Sequence, residues 1–367
     1  MLMVTIGHGR MGPADTGGTP SFARVVPPLP PPTGAVVQVS SEPELQAALQ
    51  RLASNTTVVL APGTYRLTST LWINGSFADV GIRGATANAD DVVLAGPGMT
   101  RAAYGRVPFG IWTGGDVQRV TIANLTIRDV FHHPIIFNAG TQSPHVYNVH
   151  LVDAGQQFIK SNPDEAGGGV NDGVVEYSVI EYTETAKDAY TNGIDVHRGA
   201  NWIIRRNLFR NIVSPPGHLA GPAVLMWNRS RDTLTEGNTF LNCARGIAYG
   251  LEQRADGFDH TGGIIRNNVF FRASTQPGDA GIIISQSPGT EVVNNTVYVS
   301  RTYGTPIEYR FPGAHDVVLG RATARPESSA IMWPVHGRRR SSMRPPATST
   351  LRRRRPRLSI AASRSRA

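Results

Sequence analysis

The chain has 367 residues, 40% of them hydrophobic, and its 39 Gly and 26 Pro favour frequent chain reversals over long helices. No apolar run approaches the roughly 18 residues of a membrane span, so we predict none, and the single cysteine, Cys243, excludes an intramolecular disulfide. The net charge is +9, but residues 316–367 hold 13 Arg against two acidic residues, a balance of +11, which leaves 9 − 11 = −2 for the rest. This distribution argues against nucleic acid as the partner of the main body.

The N-terminal segment, residues 1–35, is predicted to be disordered and to end in a Pro-rich linker, "RVVPPLPPPTGAVV". Its start, "MLMVTIGHGRMGPADTGG", has no continuous apolar stretch, so no signal peptide is readable. The next segment, 40–53, predicts a helix. Ser41 and Glu44 form a capping box, and Leu45 and Leu49 share one helical face. We expect this helix to cover the open end of the domain that follows.

A repeated pattern of short strands fills the middle of the chain. Each copy ends on an Asn-like position, and these positions are 124, 148, 177, 207, 238, 268 and 295. The intervals of 24, 29, 30, 31, 30 and 27 residues, with strands in each unit, predict a solenoid. A second set of strands lies between the copies: "HPIIFN", "QFIKSN", "NGIDVH", "AVLMWN", "GIAYGL", "GIIISQ" and "PIEYRF".

Strands one repeat apart are predicted to pair in parallel, about 4.8 Å apart, so that like positions stack in columns. The inward columns are predicted to include Ile122, Ile204, Ile265 and Val293. We expect side-chain amide ladders and left-handed backbone at the turns, with structural roles for Asn207, Asn238, Asn268 and Asn295. Cys243 is predicted to be a small buried hydrophobic residue.

The helix, the strand text "VVLAPGTY" and the Asn-terminated rungs together resemble the right-handed parallel β-helix superfamily of pectate lyases and related polysaccharide-active proteins. The resemblance covers roughly residues 36–318. It implies an all-β, right-handed parallel β-helix with an N-terminal capping helix. It also implies a monomer that acts on polysaccharides, with an extracellular or periplasmic location.

From residue 319 to 367 the repeat is replaced by Arg, Ser, Pro and Ala. One interpretation is a disordered basic arm for nucleic acid or an anionic surface. The interpretation that we favour is a frameshift near Leu319 or Gly320, because the body has 21 Arg and only two Lys, as a GC-rich gene would encode.

A lyase that cleaves an acidic glycan by β-elimination neutralises the sugar carboxylate, removes a neighbouring proton with a base and protonates the leaving oxygen. The resemblance implies Arg or Lys as the base. Lys160 ends a strand, and if Ile194 and Val196 point inward, Asp195 and His197 lie outward beside it. We predict Lys160 as the base, Arg245 or His197 on the carboxylate, and Asp195 orienting His197.

Further outward residues are predicted to contact the substrate along about four rungs; they are Tyr190, Trp227, Asn228, Tyr249 and Arg310. His218, Glu252 and Glu308 are placed in the same column. The resemblance implies Ca²⁺ as a candidate cofactor, with Asp188 and Asp195 as weak candidate ligands. His132 and His133 are expected to cap a turn rather than bind zinc.

The segment "YTNGIDV" is similar to the "NTDGIDV" motif of β-helical polygalacturonases, but Asn192 stands at its acidic position and a paired carboxylate is missing. The leading hypothesis is therefore a lyase that acts on an acidic, uronate-containing polysaccharide. The alternatives are a non-catalytic glycan-binding or surface β-helix protein and, with less support, a glycoside hydrolase.

Overall fold

The structure is a computed structural model, and it describes residues 25–273, 277–299, 304–320 and 323–326. These residues belong to one compact unit, Met1–Ala330. Within them the structure shows no helix long and apolar enough to cross a membrane. The described secondary structure is almost entirely short strands, with one α-helix and one 3₁₀ turn at Ala89–Asp91.

A nine-stranded sheet carries the second set of predicted strands. Every neighbouring pair in this sheet is parallel, and each strand lies one winding away from its neighbours in the chain. Its strands are Leu71–Ala78, Ile111–Gln118, Ile135–Phe137, Ile159–Ser161, Ile194–His197, Val224–Trp227, Ile247–Tyr249, Ala280–Ser285 and Thr305–Arg310.

The Asn-terminated strands form a larger connected sheet, also parallel, whose strands belong to successive windings. Its strands are Ala35–Val39, Thr56–Leu60, Gly63–Arg66, Gly81–Gly84, Val92–Ala95, Thr121–Arg128, His145–Val152, Val174–Glu176, Val179–Glu181, Ile203–Arg205, Leu208–Arg210, Leu234–Glu236, Thr239–Leu241, Ile264–Arg266, Val269–Phe271, Glu291–Val293, Thr296–Val299, Val318–Leu319 and Thr323–Pro326. A further pair, Ser230–Arg231 and His260–Thr261, links two loops. The windings therefore stack as a parallel β-helix.

The core consists of columns of buried apolar side chains, as the repeat predicts. Ile122 and Ile204 are fully buried and lie in one column, in which Ile265 pairs with Val292. The prediction that Val293 belongs to this column is wrong by one residue, because Val292 is the buried partner and Val293 is half-buried. Cys243 is buried, as predicted, and burial raises the pKa of its thiol to about 12.

The predicted asparagine ladder is confirmed at four successive corners. Asn207 donates its side-chain amide to Oδ1 of Asn238 at 3.0 Å, Asn238 donates to Asn268 at 3.0 Å, and Asn268 donates to Asn295 at 2.9 Å. Each Oδ1 also accepts the backbone N–H of the preceding asparagine. All four side chains are buried, so their role is structural.

The left-handed residue at these corners is the one before each ladder asparagine. Arg206, Gly237, Asn267 and Asn294 have φ of 55°, 63°, 57° and 54°. The predicted left-handed conformation of the ladder asparagines themselves is therefore wrong. Tyr177 aligns with Arg206, and Ser178 aligns with Asn207, whose Oδ1 accepts the Ser178 N–H at 2.9 Å. Asn124 aligns with Asn148 and Asn148 with Tyr177, so three of the assigned repeat positions, 124, 148 and 177, are shifted by one residue from the ladder column.

The predicted helix is present at Glu42–Gln50, with Ser41 as its N-cap. The Ser41 hydroxyl accepts the Glu44 N–H at 3.4 Å, while the Glu44 carboxylate accepts the N–H of Ser40 rather than that of Ser41. Leu45 and Leu49 are buried. That the helix closes the open end of the first winding stays a prediction.

The described part of the predicted N-terminal linker, residues 25–34, lies against the strands. The Tyr147 hydroxyl donates to the Pro27 carbonyl, and the Arg83 guanidinium donates to the Pro30 carbonyl at 2.8 Å. Residues 1–24 lie outside the described residues. This Pro-rich segment is therefore a bound strap rather than a free linker over the described part.

Strand pairing is present beyond residue 318, the predicted end of the repeat domain. Val318–Leu319 pairs with Glu291–Val293, and Thr323–Pro326 pairs with Thr296–Val299. Paired strands therefore continue eight residues past the predicted end of the repeat domain. The predicted disordered Arg-rich tail, 319–367, lies outside the described residues from 327 onward, and the frameshift near Leu319 or Gly320 stays a hypothesis.

Candidate functional site

Lys160 and Asp195 are direct partners on adjacent strands of the nine-stranded sheet. Because side chains alternate along a strand, Ile194 and Val196 fill the core while Asp195 and His197 point to the outer face. The predicted juxtaposition of Lys160, Asp195 and His197 is thus present. We call these three residues the outer-face cluster.

The outer-face cluster is joined by short polar contacts. Lys160 Nζ donates to Oδ2 of Asp195 at 2.6 Å and lies 2.8 Å from Nε2 of His197. Nε2 of His197 is 3.6 Å from Oδ1 of Asp195, which is longer than the contact of Asp195 with Lys160. The carboxylate is therefore directed at Lys160 rather than at the imidazole. Asp195 therefore holds Lys160, whereas the sequence predicts that it orients His197.

The cluster is covered although it lies on the outside of the sheet. Lys160 is only 6% exposed and Asp195 only 3% exposed. A buried ion pair needs further hydrogen bonds to offset its desolvation. One comes from Trp227, whose indole N–H donates to Oδ1 of Asp195 at 2.7 Å. Both carboxylate oxygens of Asp195 are therefore occupied.

His197 lies between the cluster and the next winding. Its ring centroid is 4.4 Å from that of Trp227, and its Nδ1 is 3.3 Å from the side-chain amide nitrogen of Asn228. Burial lowers the pKa of His197 to about 4; Asp195 opposes this shift and the charge of Lys160 adds to it. The imidazole is therefore neutral at neutral pH.

His133 belongs to the surroundings of this site, which the sequence pattern does not predict. His133 is buried, stacks on Phe109 and contacts the Gln157 carbonyl through Nδ1 at 3.0 Å. Burial lowers its pKa to about 4, and the charge of Lys160 contributes to the lowering. His133 is expected to cap a turn, but it is also a second neutral imidazole within electrostatic range of Lys160.

A loop between two strands supplies an arginine that the sequence analysis also missed. The fully buried Asp259 accepts the N–H groups of Leu251 and Glu252 at 2.7 and 2.9 Å and pairs with Arg254. The charges of Arg254 and Asp259 both act on the pKa of His197. The signal for such a residue is the long loop itself, since loops at strand ends carry functional side chains.

The predicted role of Arg245 places it beside Lys160, but its contacts lie elsewhere. Arg245 pairs with Asp279 at 2.7 Å, and Arg310 pairs with Asp279 at 2.8 Å and with Glu308 at 2.7 Å. These residues lie on windings two or more beyond that of His197. In the described residues no hydrogen bond or ion pair joins these four charged side chains to Lys160.

Tyr249 lies inside the domain, which corrects its predicted place on the substrate surface. It pairs with Met226 in the strand ladder, is fully buried, and its hydroxyl donates to the Thr233 carbonyl at 2.9 Å. Ile247 points inward, and residues two apart share a face, so Tyr249 must point inward as well. A glycan on the outer face cannot reach it.

The remaining predicted residues are distributed over loops. Tyr190 is 57% exposed, and its N–H donates to Oδ1 of Asp188 at 2.8 Å. His218 is exposed in a loop, and Glu252 is largely exposed beside Arg254. Lys187 lies 3.9 Å above the Phe131 ring. Tyr190, His218 and Glu252 are thus all exposed, and Tyr190 is the one of them that the sequence predicts as a substrate contact.

The predicted calcium ligands do not form a site. Both oxygens of Asp195 accept from protein donors, one of them an ammonium that a cation would repel, while Asp188 accepts from a loop N–H. Within the described ranges, no three His, Cys, Asp or Glu side chains are grouped so as to hold a metal ion.

Comparison with known proteins bears on the family. A family profile described as "Right handed beta helix region" matches residues 109–311, which is more than half of the chain. The chain belongs to the right-handed β-helix family. This match confirms the parallel β-helix that the repeats predict and the right-handedness that the resemblance implies. No curated protein sequence matches the chain.

Solved structures of other right-handed β-helix proteins are similar to this one. An alginate lyase from Paenibacillus sp. str. FPU-7 has a TM-score of 0.54 at 12% identity, over 77% of this chain and 99% of that chain. The tailspike protein of E. coli bacteriophage HK620, solved in complex with a pentasaccharide, has a TM-score of 0.53 at 12% identity. That match covers 79% of this chain and 59% of the tailspike. Such low identities show a shared β-helix fold and nothing further.

Proposed function

We propose that this β-helix protein cleaves an acidic, uronate-containing polysaccharide by β-elimination at the outer-face cluster. The observation that carries the proposal is the contact set of Lys160, which joins a buried carboxylate at 2.6 Å and a neutral imidazole at 2.8 Å. A cation, a neutral base and a positioning carboxylate are thus assembled on the face of the sheet that a polymer can follow.

The reaction needs a proton acceptor and a positive charge in the same place. A base takes the proton from the carbon next to the uronate carboxylate, and the electron pair forms a C=C bond as the glycosidic oxygen leaves. The negative charge that develops on the carboxylate is stabilised by a nearby cation. The leaving oxygen then takes a proton, so that the products are one unsaturated sugar end and one alcohol.

The contacts favour different roles from those predicted by the sequence alone. Lys160 forms an ion pair with Asp195, which suits it to bind the substrate carboxylate rather than to act as the base. His197 is neutral and can accept a proton on Nε2 once the substrate carboxylate draws Lys160 away from it. The imidazolium formed would then lie beside Asp195, which stabilises its charge.

Other predicted residues keep proposed roles as glycan contacts. Trp227 and Asn228 border His197 directly, and Tyr190 is exposed. Arg245 and Arg310 offer guanidinium groups to a polymer that continues along later windings. The alginate lyase and the pentasaccharide-bound tailspike with the same fold support a carbohydrate polymer as the substrate class.

The test is a panel of alginate, polygalacturonate, glycosaminoglycans and ulvan, with and without calcium, followed by the ultraviolet absorbance of the new C=C bond. For the polymer that is cleaved, His197→Ala and Lys160→Ala should each lower kcat/KM by about 10²–10⁴-fold. Lys187→Ala is the matched control, because the chain has two lysines and Lys187 packs on Phe131. Activity unchanged in His197→Ala would overturn the assignment.

The pH dependence of kcat/KM distinguishes the two candidate bases. With His197 as the base, activity rises from about pH 4 and levels off by neutral pH. A continued rise into the alkaline range would return the role of base to Lys160. Binding to a polymer without new absorbance or new reducing ends would instead favour a non-catalytic glycan-binding protein.

A further inference from the structure

Two tryptophans lie side by side on the outer face of the nine-stranded sheet, away from the outer-face cluster. Trp72 and Trp112 are partners on adjacent strands, and their ring centroids are 5.0 Å apart at an angle of 53°. Trp72 is 44% exposed, which is unusual for so large an apolar side chain. The sequence analysis assigned neither residue a role.

The tryptophan pair lies in the same column as the outer-face cluster. Trp112 pairs with Ile136, Ile136 pairs with Lys160, and Lys160 pairs with Asp195. With about 4.8 Å between strands, Trp112 and Trp72 lie about 10 and 14 Å from Lys160 along the stack. This distance corresponds to a few sugar rings, and the position between them is occupied by Ile136, which is buried.

The backbone beneath Trp112 leaves room for its ring. A Cβ built on Gly114 would lie 2.4 Å from Cη2 of the Trp112 indole, so the ring covers Gly114 where any other residue would collide with it. Asn74, the strand partner of Gly114, is exposed, as is Ser76. The indole thus lies low over the strand with polar side chains at its border.

We infer that Trp72 and Trp112 form a stacking platform for sugar rings of the polymer that reaches Lys160, an inference that rests on the proposed function. The face of an indole carries partial negative charge, which attracts the weakly positive C–H face of a pyranose. Asn74 and Ser76 can hydrogen-bond the ring hydroxyls. The glycan chain then runs along the stack of strands, from the tryptophan pair toward His197.

The platform is tested by binding in a background without turnover. In full-length His197→Ala protein, we measure affinity for sodium alginate and for polygalacturonate by native affinity electrophoresis. Adding Trp72→Ala or Trp112→Ala should weaken binding of the retained polymer by about two- to tenfold each. Phe271→Ala is the matched control, because Phe271 is 42% exposed on the other sheet, and it should leave affinity unchanged.

Gly114→Ala provides a variant that retains both indoles. Its methyl group displaces the Trp112 ring, so polymer affinity should fall as in Trp112→Ala while the melting temperature stays near that of the parent. An affinity in all three platform variants equal to that of the His197→Ala parent would overturn the inference, as would the absence of binding to either polymer. Tryptophan-dependent binding combined with no cleavage by the wild-type protein would sink the lyase proposal and leave the platform standing.

Discussion

The indole N–H of Trp227 donates to Asp195 at 2.7 Å, from one winding to the winding before it. This bond fills the carboxylate oxygen that Lys160 does not use, because Lys160 donates to the other one. Trp227 therefore supports the buried ion pair from the side, although the sequence predicts it as a substrate contact.

Replacing Trp227 by Phe keeps a ring against His197 but removes this donor. One oxygen of a buried carboxylate then lacks a partner, which should lower the free energy of unfolding by about 1–3 kcal/mol. Chemical denaturation provides the measurement. Trp72→Phe, at an exposed site, should change the value by less than about 0.5 kcal/mol. Equal effects of the two substitutions would contradict the structural role given to the Trp227 N–H.

The ion pair itself should behave as a coupled unit in a double-mutant cycle. Lys160→Met leaves Asp195 buried without its cation, which we expect to cost about 3–5 kcal/mol of stability. The double variant Lys160→Met/Asp195→Leu should recover much of that loss, because an apolar pair of similar volume avoids the desolvation penalty. Additive losses in the double variant would show that the two side chains do not interact.

Buried histidines should make the fold less stable as the pH falls. Burial lowers the pKa of His260 from 6.5 to about 3, so the unfolded chain binds its proton at a higher pH than the folded chain does. The stability due to neutral His260 is complete above pH 6.5 and is lost progressively as the pH falls toward 3. Between pH 7.5 and 5 this contribution is about 2 kcal/mol.

His260→Gln should therefore show a smaller loss of stability between pH 7.5 and 5 than the wild type does. The control is His315→Gln, because the His315 side chain is 62% exposed whereas His260 is fully buried. Denaturant midpoints at the two pH values give the comparison. An identical pH dependence in His260→Gln and the wild type would refute the role of burial.

A single substitution in the asparagine ladder should lower the stability of the fold. Asn238→Ala removes the acceptor of the Asn207 N–H and side-chain amide, and it also removes the donor to Asn268. Buried polar groups left without partners should lower stability by about 2–4 kcal/mol. Thr296→Ala, at an exposed position one residue past the last ladder asparagine, should stay within about 0.5 kcal/mol. Circular dichroism melting curves separate the two outcomes.

The alternation of side chains and the repeat were enough to predict the Lys160, Asp195 and His197 neighbourhood. Once Ile194 and Val196 are placed inside, Asp195 and His197 can only lie outside, and parallel stacking brings Lys160 level with Asp195. The pattern does not specify which atoms touch. The direction of the Asp195 carboxylate depends on Trp227 and Lys160, whose rotamers no local sequence rule determines.

The sequence does not predict side-chain positions that depend on the phase of a strand or on the path of a loop. The sequence pattern predicts Tyr249 on the outer face, but Ile247 in the same strand points inward, and a one-residue change of phase moves a side chain from surface to core. Arg254 comes near His197 because Asp259 holds a loop, and loops follow no repeat. Trp72 lies 88 residues before Lys160 in the chain, and only the complete register connects them.

Asn207, Asn238 and Asn268 each donate a side-chain N–H to the asparagine oxygen at the corner of the following turn of the coil. The hydrogen-bonded row therefore has a direction, and it can be extended only by a turn that places an acceptor oxygen at the same corner. An engineer who wishes to lengthen this protein by duplicating a turn therefore needs to copy Asn, Asp or Ser at that single place. A graft with a hydrocarbon there would interrupt the row, however well the rest of the turn matches.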